Sequence, residues 1–195
     1  TEMPAIVSNS CQLSYKNNLN DYKNNFLKKV YSVEPNDIDD LKKTISNIKN
    51  NNEYIELAVL EPVMGEGKPG YSINPDFYDI IRETTKDMNG LLLVDSVQAG
   101  IRCTGELSIT KYKGFENSEA PDMESFSKVI NGGVYPFSIL GVNKRIEDRF
   151  VRGIYGNTMT ANPRGLQVCT EVLHLLDDDL KKNINAKGEL FLKEL

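Results

Sequence analysis

Residues Leu91-Leu92-Leu93-Val94-Asp95 set four consecutive apolar side chains directly before a carboxylate, and this run limits the possible folds more than any other stretch. So short and uninterrupted an apolar run reads as a strand covered on both faces, the pattern of parallel sheets. Upstream, Tyr54 to Leu60 predicts a second buried strand, ending at Glu61-Pro62. Between the two, Asn74 and Pro75 stand at the cap and first position of a helix whose apolar face is Phe77, Ile80, Ile81, Thr84 and Met88, with Gly90 as its stop. Strand, helix, strand at this spacing is a βαβ unit. The fold class is therefore α/β, a mostly parallel sheet with helices on both faces. Open sheets of this kind bind ligands beyond the carboxyl ends of their strands, which directs attention to Asp95 and to the loop holding Gly65, Gly67 and Gly70. An Asp after a strand is also a common turn or capping residue.

The remaining elements follow from periodicity. Ile38, Leu41, Ile45 and Ile48 recur at helical spacing, with Asn36 as the expected N-cap, acidic residues in the first turn and Asn50-Asn51-Asn52 as the stop. Residues 1–35 are rich in asparagine, and Phe26, Leu27, Val30, Tyr31 and Val33 read as a short edge element. A surface loop is expected after Gly105, around Tyr112 and Phe115. Met123 to Ser127 reads as a strand handing over Lys128, Phe137 to Val142 as another strand, and Arg145 to Val151 as a short helix. Asn162-Pro163 opens a last clear helix with Leu166, Cys169, Val172, Leu173 and Leu176 on one face, and Lys187 to Leu195 is again helical.

Charge and composition remove several functions. A formal net charge of −5 offers no basic field to a phosphate backbone, so no nucleic acid is expected. No run approaches the roughly 18 apolar residues of a membrane helix, and Thr1-Glu2-Met3-Pro4 opens no signal peptide. Cys11, Cys103 and Cys169 are odd in number and have no metal-ligand spacing, so no metal is expected and reduced thiols in the cytoplasm are the default. His174 reads as a helical surface or interface residue. Gly65-Glu66-Gly67 lacks the spacing of a dinucleotide loop.

One ordered series carries more than any single motif. Glu61-Pro62-Val63-Met64-Gly65-Glu66-Gly67 is followed by Val94-Asp95-Ser96-Val97-Gln98-Ala99-Gly100, then Thr104-Gly105, Pro121-Asp122, Ser127-Lys128 and Gly132-Gly133. This resembles the class III aminotransferases of the ornithine, acetylornithine and 4-aminobutyrate type, and Tyr155 to Pro163 fits the same family. The resemblance covers about residues 55 to 180. It implies the fold type I large domain of pyridoxal-phosphate enzymes, here as an internal fragment: residues 1–52 an N-terminal segment with one helix, 53–180 the cofactor-binding core, and 181–195 the start of a connecting helix to a further domain.

The resemblance also implies roles. Lys128 would form the Schiff base with pyridoxal 5'-phosphate, and its place between Phe126 and Gly132-Gly133 predicts an enclosed site. Asp95 would hold the proton on the pyridine nitrogen, and Gln98 would reach the phenolic oxygen. Thr158 would reach the phosphate of a neighbouring subunit in a homodimer, while Glu61 and Glu66 would flank the substrate. The implied reaction moves an amino group from an amino acid or amine to a 2-oxo acid. A truncated, non-catalytic module of the same fold, or a decarboxylase or aminomutase, is the alternative. Two departures stand out: Ser96 where the family usually has Glu after the Asp, which predicts the loss of a carboxylate near the cofactor, and Cys103 where Arg usually precedes Thr-Gly.

Overall fold

The computed structural model describes residues 4–8, 29–149, 151 and 161–194, the first five and Lys29 by their backbone alone. The chain runs through β1 (Pro4–Ser8), β2 (Lys29–Val33), α1 (Ile38–Asn50), β3 (Leu57–Leu60), α2 (Pro75–Asp87) and β4 (Leu91–Asp95). It continues through β5 (Met123–Phe126), β6 (Ile139–Val142), α3 (Lys144–Glu147), α4 (Pro163–His174) and α5 (Asp178–Glu194). The strands make one sheet in the order β2-β1-β3-β4-β5-β6, parallel except that β6 runs antiparallel to β5. The predicted βαβ unit is the centre of this sheet. Of the expected edge element, Val30, Tyr31 and Val33 lie in β2 while Phe26 and Leu27 fall outside the described residues; β1, which the sequence pattern did not announce, separates β2 from β3.

Burial on β4 alternates. Leu92 and Val94 are fully buried, whereas Leu91 and Leu93 are half-buried, which corrects the expectation of a strand covered on both faces. The buried set joins Ala58 and Leu60 of β3 to Leu41, Ile45 and Ile48 of α1 and Phe77, Tyr78 and Ile81 of α2, so both helices cover the same face. The predicted surface loop is also corrected. Ile109, Tyr112 and Phe115 are buried in this cluster, and Phe115 meets Tyr78 edge-on with ring centroids 5.6 Å apart. Lys111, Lys113, Glu116 and Glu119 stay outside, with Gly114, Asn117 and Ala120, which is why the composition reads as a loop.

Several boundaries move: β6 starts at Ile139 rather than Phe137, and α5 at Asp178 rather than Lys187. The strand predicted from Tyr54 starts at Leu57, and α3 is the single turn Lys144–Glu147 capped by Asn143. The cap of α1 is Asp37, whose side chain accepts from the Asp40 amide. Asn36 sits just before it at φ +63°, donating from its amide to Ser72 O (2.9 Å) and accepting from the Asn74 amide (2.7 Å). It joins the β2–α1 corner to the end of the loop after β3.

Register is fixed at the amino ends of β4 and β5. Asp122, fully buried just before β5, accepts from Arg82 Nη1 (2.8 Å), the Leu92 amide (2.9 Å) and Asn143 Nδ2 (2.9 Å). One carboxylate thus links α2, β4 and the start of α3. Burial pushes its pKa up, but the Leu92 amide, Asn143 and the Arg82 guanidinium outweigh that and hold it below the ordinary value.

Candidate functional site

At the opposite, carboxyl ends of the same strands lie most of the residues singled out from sequence. Asp95 is the last residue of β4 and faces Ser125 of β5 in register. Its Oδ1 accepts from the Val97 amide (3.0 Å) and from Ser125 Oγ (3.1 Å), while no described residue donates to Oδ2. One carboxylate oxygen therefore orients the group and the other is open to a proton-bearing nitrogen. After Asp95 the chain turns sharply: Ser96 donates its amide to Ser125 O (3.0 Å) and accepts at its carbonyl from the Gly100 amide (2.9 Å). That turn carries Gln98.

Lys128 follows β5 by two residues. Its backbone is left-handed, φ +49°, a conformation that costs a side-chain-bearing residue about 1–3 kcal/mol unless its surroundings hold it. The surroundings do. Ser127 Oγ and Asn131 Nδ2 both donate to Phe137 O, at 2.8 and 2.9 Å, and the Gly133 amide donates to Lys128 O at 2.9 Å. Gly132 and Gly133 complete the turn at φ +68° and +73°, where glycine carries no penalty. From this turn Lys128 Nζ donates to Gln98 Oε1. Gln98 Nε2 in turn approaches Gly65 O (3.4 Å), and the Gly65 amide donates to Glu61 Oε2 (2.8 Å). Lys128, Gln98 and Glu61 are thus joined in one chain of contacts across the ends of three strands.

Not every expected residue enters it. Glu66 is exposed at the tip of the loop after β3, and its side chain bonds no described residue of the site. Thr158 lies outside the described residues. Lys128 itself is exposed, against the enclosed setting expected for it, and among the described residues the hydrogen-bond partner of its amine is Gln98. A cleft of about 840 Å³ opens on the other flank of the Lys128 turn, lined by Lys128, Asn131, Gly132, Tyr135, Val172 and Leu176 among others. Neither Asp95 nor Gln98 lines it.

Sequence reasoning missed Glu124. Ser96 reads as a carboxylate lost, yet a carboxylate is there, one strand away: Ser96 Oγ donates to Glu124 Oε1 at 2.5 Å. Glu124 also accepts from Ser108 Oγ (2.7 Å) and the Ile109 amide (3.1 Å), and it is 6% exposed. Burial pushes its carboxyl up, and the three donors only partly offset this. The one signal available was a charged residue at an inward position of the short strand Met123–Phe126.

The donor set matches pyridoxal phosphate. It offers a primary amine for an aldehyde, an amide beside that amine, and a carboxylate with one open oxygen at the adjacent strand end. Among the described residues no group of His, Cys, Asp and Glu could hold a metal ion, and no helix is long and apolar enough to cross a membrane.

Comparison with known proteins agrees. A family model described as aminotransferase class-III matches residues 3–195. Ornithine aminotransferase 1 of Staphylococcus saprophyticus subsp. saprophyticus is 31% identical over 191 residues, which is 97% of this chain and 44% of that protein. Ornithine delta-aminotransferase of Plasmodium falciparum has the same fold with a TM-score of 0.74 at 26% identity, covering 99% of this chain and 46% of that one. Adenosylmethionine-8-amino-7-oxononanoate aminotransferase of Methanocaldococcus jannaschii gives 0.78 at 21% identity over 100% of this chain and 48% of its own, a likeness of fold alone. The chain spans less than half the length of these relatives.

Proposed function

This chain belongs to the class III aminotransferases, and on that premise we propose that it is the cofactor-binding core, residues 53–180, of a pyridoxal-phosphate transaminase. The observation that carries the reading is the contact of Lys128 Nζ with Gln98 at the end of the strand that bears Asp95. When bound, the cofactor supplies an electron sink that weakens bonds at the carbon bearing the amino group. Everything else falls to the chain. Lys128 would hold the aldehyde covalently through Nζ and, once displaced by an amino donor, would take up and return a proton at that nitrogen. Asp95 Oδ2 would keep a proton on the ring nitrogen by placing a negative charge beside it. Gln98 would orient the Lys128 amine and donate from its amide to the phenolic oxygen.

Glu61 and Glu66 would face the substrate, an amino acid or amine donor followed by a 2-oxo acid acceptor. Glu61 is the better supported, because it is tied through Gly65 to Gln98. We assign the complete protein as a homodimer in which Thr158 reaches the phosphate held by its partner subunit. We assign it to the cytoplasm, where free thiols such as Cys103 and Cys169 persist.

The test is direct. The chain is mixed with pyridoxal phosphate, treated with borohydride and digested. The expected result is a visible absorbance band that the reductant removes, with a pyridoxyl mass on the peptide holding Lys128. A peptide labelled elsewhere, or no label at saturating cofactor, overturns the reading.

A further inference from the structure

Glu124 is a buried carboxylate that the reaction itself does not use, and its contacts converge on the site. Consecutive residues of β5 hold consecutive residues at the end of β4. Ser125 Oγ bonds the Asp95 carboxylate, and Glu124 Oε1 bonds the Ser96 hydroxyl. Side chains of neighbouring strand residues leave opposite faces of a sheet, so the β4 end is gripped from both sides. Ser96 is the residue between Asp95 and the turn that carries Gln98. Any rotation there swings the Val97 amide that orients Asp95 and moves Gln98 away from Lys128.

The other two donors on Glu124, Ser108 Oγ and the Ile109 amide, come from the segment that doubles back under the sheet. That segment is anchored by Ile109, which is fully buried. The carboxylate therefore refers the Asp95–Gly100 turn to a fixed point of the core rather than to another mobile loop. A group tuned only for stability would not need an acceptor on β5 aimed at the one hydroxyl between the two cofactor ligands.

We propose that Glu124 is a positioning residue of the cofactor site, acting through the Ser96 hydroxyl to set the orientation of Asp95 and Gln98. The proposal rests on the pyridoxal-phosphate reading above. Its chemistry is that of an acceptor. Both hydroxyls and the amide donate to it, and substitution of either serine deletes one donor from the same carboxylate.

That symmetry supplies the test. Ser96→Ala and Ser108→Ala are compared with the wild-type full chain in three measurements: cofactor affinity by absorbance titration, borohydride labelling of the Lys128 peptide at a cofactor level near half-saturation, and melting temperature. Both variants should lose melting temperature, Ser108→Ala the more, since its hydroxyl also accepts from the Thr110 amide (3.4 Å). Only Ser96→Ala should bind the cofactor more weakly, by about tenfold, because sub-ångström misplacement of reacting groups is costly. Its labelling should fall in step. Glu124→Val should reproduce the Ser96→Ala loss, and if that variant fails to fold, the serine pair alone decides. Equal cofactor affinity in the two serine variants, with the wild type labelled at Lys128, overturns the role of Glu124 and leaves the cofactor reading standing. A wild-type chain that takes up no cofactor overturns both.

Discussion

Lys128 Nζ and Gln98 Oε1 are in hydrogen-bond contact although thirty residues of chain separate them, because parallel pairing of β4 with β5 brings both strand ends to the same edge. The lysine is delivered by a left-handed turn and the amide by a sharp one, so neither depends on a long flexible loop. On the proposed reading, that placement would bring the amine to the cofactor aldehyde without prior rearrangement.

Lys128→Ala should abolish covalent cofactor attachment while leaving the sheet intact, since the side chain is exposed and its one bond to a described residue is to Gln98. Absorbance and borohydride labelling check attachment, and circular dichroism checks the fold. A variant that still carries the label rules out Lys128.

Asp95→Asn keeps the shape of the side chain and can keep both bonds at Oδ1, but it removes the charge that would sit beside the ring nitrogen. Turnover should fall by about 10² or more, the usual size of losing one preorganised charge partner in a site. Ser125→Ala should cost less, because the Val97 amide still orients the carboxylate. Steady-state kinetics of the complete enzyme decide it, and near-normal turnover of the Asn variant would count against the assignment.

Asp122 should govern acid stability. Its folded pKa lies below the ordinary value of 3.8, so its contribution is fully present above that value and is lost as pH falls through the lower folded one. Asp122→Asn leaves Arg82 buried with half of its ion pair gone, which should cost about 3–5 kcal/mol at neutral pH. Urea unfolding as a function of pH should find the gap between wild type and variant narrowing below about pH 4. A gap that stays constant down to the acid transition would remove Asp122 from that role.

Thr158 should act across a two-fold interface. Mixing Lys128→Ala with Thr158→Ala subunits of the complete protein creates dimers with one doubly defective site and one intact site. Partial recovery of activity is the expected outcome. No recovery, with subunit exchange verified by mass, would assign Thr158 to its own chain or to no role.

The sheet centre was legible in the sequence, and the candidate site was singled out there, for different reasons. The βαβ unit showed because the 3.6-residue period of α2 is bracketed by two apolar runs. Asp95 and Lys128 stood out because one ends a strand and the other follows one, within a motif order that resembles a family's. Glu124 and Ser125 did not, since their importance is created by register: nothing local says that Glu124 will face Ser96. Ile109, Tyr112 and Phe115 were hidden among charged neighbours, and their burial comes from the segment folding back onto Tyr78. The exposure of Lys128 was equally illegible, because enclosure depends on what packs over a side chain rather than on its neighbours in sequence.

The Asp122 cluster and the Lys128 turn sit at opposite ends of one four-residue strand, Met123–Phe126. With register locked at one end by groups that touch no ligand, residues at the other end can vary without letting the strands slip. The short strand works as a fixed ruler between that buried foot and the tip that bears Lys128. A side chain exchanged at the tip leaves the three bonds of Asp122 at the foot in place.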